Sequence, residues 1–167
     1  LVLCKNTPES ALVICMGMGT TYRSLLSWNI QSTAVELVPS VKEAFGFYFA
    51  DADILLKHPK GNVVIDDGRR FLKRTSDQYD VITIDPPPPI VTAGSSLLYS
   101  KEFYEDAKRR LKKGGVLQQW FPFGEKKTLQ AVTRSIYDSF KYIRVYHSLE
   151  GWGFHFLASD EPIRFPD

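Results

Sequence analysis

Cysteine and histidine are scarce in this chain, long apolar runs are missing, and the charges nearly cancel. Only Cys4 and Cys15 occur, with no C-x-x-C pair, so neither a disulfide framework nor a thiolate metal site is expected. His58, His147 and His155 lie outside any clustered ligand spacing, and no metal is expected. Cys15 falls in an apolar run and reads as a small buried hydrophobe. No uninterrupted apolar stretch approaches the ~20 residues that a bilayer-crossing helix needs. No signal-peptide pattern opens the chain, so the expected location is cytoplasmic, without a membrane partner. The formal net charge is only +2. Its basic clusters, Arg69–Arg74 and Lys108–Lys113, fit solvated helix faces or ends better than a nucleic-acid groove.

What is present describes one globular domain. The 167 residues, 44% hydrophobic and 24% charged, suffice for a single buried core and are too few for two ordinary ones. The apolar opening Leu1-Val2-Leu3-Cys4 reads as the inside of an element, so a piece of a longer protein is expected.

Strand and helix signals alternate. Ala11–Met16 reads as a strand stopped by glycine, Thr21–Trp28 as a helix and Ser32–Leu37 as a second strand. Ser40 with Glu43 three residues on has the capping-box form and predicts a helix towards Ala50. Asn62–Ile65 and Tyr79–Asp85 read as strands around a short helix, Arg69–Arg74. Ser100–Lys112 carries Phe103, Tyr104, Ala107 and Leu111 at helical spacing, with Gly114-Gly115 as its stop. Val116–Phe121 is a fifth strand and Lys127–Phe140 a helix. Tyr142–His147 and Phe154–Ala158 are joined by too few residues for a crossover helix, so they form an antiparallel hairpin. The fold class implied is α/β, a Rossmann-like sheet of the class I methyltransferase kind. It has seven mostly parallel strands, helices on both faces and an antiparallel C-terminal edge hairpin.

Ligands of open α/β sheets bind beyond the carboxyl ends of the strands, and four segments place suitable residues there. Gly17-Met18-Gly19 lets backbone approach a ligand at a helix start, although a G-x-G is also a common tight turn. A dinucleotide fingerprint would want glycine at Tyr22, which disfavours NAD. Glu36, 19 residues after Gly17, is placed to accept both ribose hydroxyls, or is simply an exposed acid at a strand end. Asp66-Asp67-Gly68 suits an exocyclic adenine amine, or an ordinary Asp-Gly turn. Asp85 ends the clearest strand and faces the reacting centre, unless it only caps a turn. The prolines at 86–89 would wall the pocket, and Tyr99 lies where that loop re-enters the fold as a substrate-binding candidate.

Ala11–Arg23, Val35-Glu36, Val64–Leu72, Tyr79–Asp85, Leu98–Lys113 and Trp152-Gly153-Phe154 together resemble the nucleoside-binding domain of spermidine synthases, the polyamine aminopropyltransferases. The resemblance is closer still to the spermidine synthase-like domains of bacteria. It implies that Glu36 holds the ribose, that Asp67 takes the adenine amine with Gly68 beside it, and that Gly17, Met18 and Gly19 border the sulfonium-side chain. It implies that Asp85 is the catalytic acid beside the attacking amine. The ligand would be S-adenosylmethionine, its decarboxylated form or methylthioadenosine, with no tightly bound cofactor; a polyamine would be the acceptor, and a homodimer the assembly. Three features depart from that family: Met18 and Pro88 stand where it carries acids, and its N-terminal β-rich domain is not in these residues. Two further readings therefore stand beside aminopropyl transfer: an S-adenosylmethionine-dependent methyltransferase and a non-catalytic nucleoside-binding or assembly domain.

Overall fold

A computed structural model describes residues 7–86, 93–122, 124–149 and 151–164. Its seven strands are β1 (Ser10–Ile14), β2 (Gln31–Glu36), β3 (Gly61–Ile65), β4 (Tyr79–Ile84), β5 (Leu111–Phe121), β6 (Tyr142–His147) and β7 (Phe154–Ser159). They form one sheet in the order β3-β2-β1-β4-β5-β7-β6. Every pairing from β3 through β5 is parallel, while β7 runs against both β5 and β6. The hairpin thus closes one side of the sheet as expected, and its reversed strand sits one place in from the edge.

The helices are α1 (Thr20–Ser27), α2 (Pro39–Glu43), α3 (Phe45–Tyr48), α4 (Ala52–Leu56), α5 (Gly68–Arg74), α6 (Ala93–Ser96), α7 (Lys101–Arg109) and α8 (Lys126–Ser139). A turn of 3₁₀ helix at Leu97–Tyr99 precedes α7. Strand side chains alternate between faces, and each face meets its own helices. On one, Leu12, Ile14, Ile82, Ile84, Leu117 and Phe121 pack with Phe103, Tyr104, Val132 and Ile136. On the other, Ala11, Val13 and Val81 pack with Tyr22, Leu25, Leu26, Phe45 and Leu55. β4 is buried at every position, because it is central and covered on both sides. Among the described residues no helix is long and apolar enough to cross a membrane.

Two expectations need correction. The Ser40–Glu43 capping box does not form. Val38, in extended conformation, is the N-cap, and Pro39 occupies the first helical position, where its fixed φ and missing N–H cost nothing. That helix ends at Glu43, and the stretch to Leu56 is split into α2, α3 and α4, because the fully buried Phe45 is drawn under the first glycine turn. Gly114-Gly115 does not stop α7. The helix is capped by Ser100, whose Oγ accepts the Phe103 N–H at 3.2 Å, and it ends at Arg109. The glycine pair lies inside β5, where the register with β4 shifts between Tyr79 and Val81.

Candidate functional site

The parallel order reverses at β1, whose neighbours β2 and β4 lead away in opposite directions, and a cleft opens where their carboxyl ends diverge. It holds about 420 Å³ and is lined by Cys15, Gly17, Glu36, Val38, Asp67, Gly68, Asp85, Leu98 and Trp120, among others. That size suits a nucleoside-sized ligand.

The floor is the turn after β1. Cys15 has φ 68°, a left-handed conformation costly for a residue with a Cβ, and it begins a tight reversal into Gly17 and Gly19. Gly19 has φ 78°, and an added Cβ would land inside the edge of the Phe45 ring. Only glycine fits there. The turn is tied to β2 by Glu36, whose Oε2 accepts the Gly17 N–H at 3.2 Å and whose Oε1 accepts the Val38 N–H at 3.0 Å. Glu36 is nearly buried, at 7% exposure. Each of its oxygens keeps a further lone pair for a hydroxyl donor in the cleft. Leu37, Val38 and Val41 on one side and Leu98 on the other supply apolar walls.

Asp67 is the N-cap of α5, its Oδ1 accepting the Arg69 and Arg70 N–H groups at 2.9 and 3.1 Å. The Arg69 guanidinium also bonds Oδ2 at 3.0 Å. That guanidinium holds the Asp67 carboxyl below the usual range, with burial opposing. An adenine amine reaching Asp67 would share an oxygen with Arg69. Asp66 is buried and accepts the Asp67 N–H at 2.8 Å; it also pairs with Arg70 and Arg74, a structural role. Gly68 allows α5 to start close to β1: a Cβ there would lie 2.5 Å from the Ile14 side chain.

Asp85 follows β4 and is exposed at the rim, yet the protein crowding around it pushes its carboxyl above the ordinary value, with His155 opposing. It also lines a second cleft of about 670 Å³, with Thr21, Thr83, Gln118, Trp120, Tyr146, His147, His155 and Leu157. Asp85 and Trp120 belong to both. The Trp120 indole is anchored by its Nε1–H to the Trp152 carbonyl at 3.0 Å.

The first cleft therefore brings together Gly17, Glu36, Asp67, Gly68 and Asp85. Gly19 is buried beneath the turn, and Met18 is 56% exposed on it. Tyr99 is buried behind the clefts, packed edge-on against Phe121, and its hydroxyl donates to the Trp120 carbonyl at 3.3 Å. Burial pushes the Tyr99 phenol up, and nearby Cys15 and Asp85 add to that. Pro88, like Pro87 and Pro89 of the expected wall, lies outside the described residues; Pro86 lines the first cleft. Sequence reasoning missed Trp120, Gln118, Thr83 and His155. The period-two spacing of Thr83 with Asp85 and of Gln118 with Trp120 was the available signal, since it puts each pair on one face.

Residues 1–150 match the family described as the spermine/spermidine synthase domain. The polyamine aminopropyltransferase of Sulfurisphaera tokodaii is 34% identical over 171 residues, covering 96% of this chain and 56% of that protein. A crystal structure of spermidine synthase in complex with the transition state analogue AdoDATO superposes with TM-score 0.85 at 24% identity, over 98% of this chain and 58% of the other. Human methyltransferase-like protein 13, in complex with SAH, gives TM-score 0.82 at 18% identity, over 99% of this chain and 78% of that one. At those identities the two structures speak to the fold alone. The chain spans about half the length of the curated relatives it matches.

Proposed function

The chain belongs to the spermine/spermidine synthase domain family, and on that premise we propose that it transfers an aminopropyl group from decarboxylated S-adenosylmethionine to an amine acceptor. The observation that carries the proposal is the position of Asp85 on the wall shared by two clefts. One cleft has a ribose-height carboxylate, Glu36, bound to the glycine turn. The other opens on the far side of Trp120.

In this reading the nucleoside lies with its ribose diol on Glu36 and its adenine between the apolar walls near Asp67. Its sulfonium then points at Asp85. The acceptor nitrogen attacks the methylene next to sulfur: a C–N bond forms, the C–S bond breaks, and its electron pair stays on sulfur. Methylthioadenosine leaves as a neutral thioether. A free amine has a pKa near ~10.4, so the nitrogen must shed a proton, and Asp85 can accept one. Its raised pKa brings it nearer that task than an ordinary aspartate. Holding both reactants in line supplies much of the remaining acceleration. S-adenosylmethionine, its decarboxylated form and methylthioadenosine are the candidate ligands. A homodimer and a cytoplasmic location belong to the same proposal.

Met18 favours a second reading. At this exposed position the turn offers no carboxylate to the primary amine of a decarboxylated donor. Intact S-adenosylmethionine and methyl transfer are then the alternative.

The deciding assay incubates the full natural gene product and 1,4-diaminobutane with decarboxylated S-adenosylmethionine or, in parallel, with S-adenosylmethionine, and follows methylthioadenosine and S-adenosylhomocysteine by mass spectrometry. Aminopropyl transfer predicts release of methylthioadenosine together with an aminopropylated amine. If only S-adenosylmethionine is consumed, with S-adenosylhomocysteine released, the methyltransferase reading replaces it. If calorimetry shows that none of the three nucleosides binds the folded protein, both readings fall and a non-catalytic domain remains.

A further inference from the structure

The second cleft contains a hydrogen-bonded chain that the proposed reaction has not used. Strand register places Thr83 beside Gln118 across β4 and β5, and sets Trp120 opposite His155 and Gln118 opposite Leu157 across β5 and β7. Gln118 and His155 are therefore diagonal neighbours on one face. The Thr83 hydroxyl donates to Gln118 Oε1, and Gln118 Nε2 lies 3.1 Å from His155 Nδ1. With its carbonyl oxygen occupied by Thr83, the amide turns an N–H towards the ring. Nδ1 must then accept, so the neutral imidazole carries its proton on Nε2. Protonating Nδ1 would set two donors against each other.

We propose that His155 is a positioning residue for Asp85, held by Thr83 and Gln118 as the neutral Nε2–H tautomer so that it orients the carboxylate at the edge of the acceptor cleft. The inference rests on the aminopropyl-transfer reading for what Asp85 does, and on the strand geometry for the rest. An Nε2–H donor aimed at the acceptor nitrogen would block the lone pair that must attack. Aimed at Asp85, it satisfies one carboxylate oxygen and leaves the other for the amine N–H. A neutral ring also avoids placing an imidazolium beside a sulfonium and an amine.

Burial, the strongest influence on the ring, favours its neutral state, and the charged and titratable groups around it are few. Asp85 shares the cleft with the ring; from β6, Tyr146 stands opposite His155 and Arg144 opposite Leu157 on the same face, with Arg144 tied to the Ile163 carbonyl at 3.2 Å, while the His147 ring packs edge-on against Phe154. β5 contributes the uncharged Gln118 and Trp120, and α1 contributes Thr21. Burial lowers the His155 pKa below its ordinary 6.5, and Asp85 works against that shift.

The test reads the imidazole directly by long-range ¹H–¹⁵N NMR on the full gene product, with His155 assigned by loss of its signals in His155→Gln. The expected pattern is the Nε2–H tautomer at neutral pH with a pKa below 6.5. Asp85→Asn should lower that pKa further, and Thr83→Val, which frees the amide to turn over, should raise it. In the methylthioadenosine-release assay with 1,4-diaminobutane, His155→Gln should cut kcat at least about tenfold with nucleoside KM unchanged, and Thr83→Val should move the acid limb of the pH profile upwards. An Nδ1–H tautomer, a pKa indifferent to Asp85→Asn, or an unchanged kcat in His155→Gln would overturn the inference. Absence of any transfer by the wild type would instead sink the reaction. The NMR result would still decide the state of His155.

Discussion

Replacing Glu36 by alanine is the sharpest test of where the nucleoside lies. The carboxylate is nearly buried, and it spends one lone pair on the Gly17 N–H and one on the Val38 N–H. Two oxygens remain able to accept a ribose diol. Hydrogen bonds to a charged group contribute about 1.5–3 kcal/mol each, and neighbouring pairs are not additive. A combined loss of about 3 kcal/mol is the working figure, close to a hundredfold in Kd at ~1.4 kcal/mol per decade. Alanine also releases the glycine turn, so the single variant mixes two effects. The 2′,3′-dideoxy form of methylthioadenosine separates them. Calorimetry with both ligands on both proteins closes a cycle in which only the ribose bonds appear as coupling. The expected coupling is about 2–3 kcal/mol, with the dideoxy ligand nearly indifferent to the substitution. If both ligands lose the same affinity, Glu36 merely shapes the turn, and the placement of the ribose is wrong.

Four further outcomes follow from particular contacts. Gly19→Ala must place a Cβ against the Phe45 ring at φ 78°, which should cost about 1–3 kcal/mol in urea unfolding. Asp67→Ala removes the cap of α5 and should cost about 1 kcal/mol. Asp67→Ser keeps a capping oxygen, so it should recover that stability while still binding nucleoside weakly; full recovery of both would limit Asp67 to capping. Asp85→Asn should abolish methylthioadenosine release with nucleoside affinity nearly intact, and retained turnover would remove Asp85 from the chemistry. The same variant has a thermal signature. A carboxyl whose pKa is raised on folding favours the folded state below its unfolded value of 3.8, and loses that contribution as pH rises through the folded pKa. Asp85→Asn should therefore match or exceed the wild-type Tm at pH 7, the difference shrinking as pH falls towards 4.

The parallel half of the sheet was legible because its signals are local. Tyr79–Asp85 is β-branched and flanked by charge and proline, and the structure buries every residue of β4, Tyr79–Ile84, leaving Asp85 exposed just beyond it. The glycine turn, Glu36 and Asp85 could likewise be placed at one edge, since in an alternating fold each strand ends at the same side. The failures were tertiary. Ser40 and Glu43 have the right chemistry for a cap, but Pro39 one residue earlier and the burial of Phe45 decided where that helix begins and breaks. Gly114-Gly115 looks like a helix stop and is instead a register shift between β4 and β5, which only pairing can reveal. Tyr99 was placed correctly in the chain, but its ring turns into the core, because its hydroxyl finds the Trp120 carbonyl there. The second cleft was legible only as separate pairs, Thr83 with Asp85 and Gln118 with Trp120; these and His155 are remote in sequence and meet only through the β4–β5–β7 register.

The reversal of β7 separates two kinds of connection along the ligand edge. The half that holds the first cleft is assembled from turns that each lead into a helix packed on the sheet, so lengthening one displaces a helix. The other half is bordered by Ser148 and Leu149 of the link between β6 and β7, whose Trp152 carbonyl also holds the Trp120 indole of β5, so an insertion there shifts that anchor but displaces no packed helix. Loops of that kind tolerate grafting. A lineage, or a protein engineer, can therefore vary the second cleft beyond Trp120 while leaving the turns of the first cleft as they were.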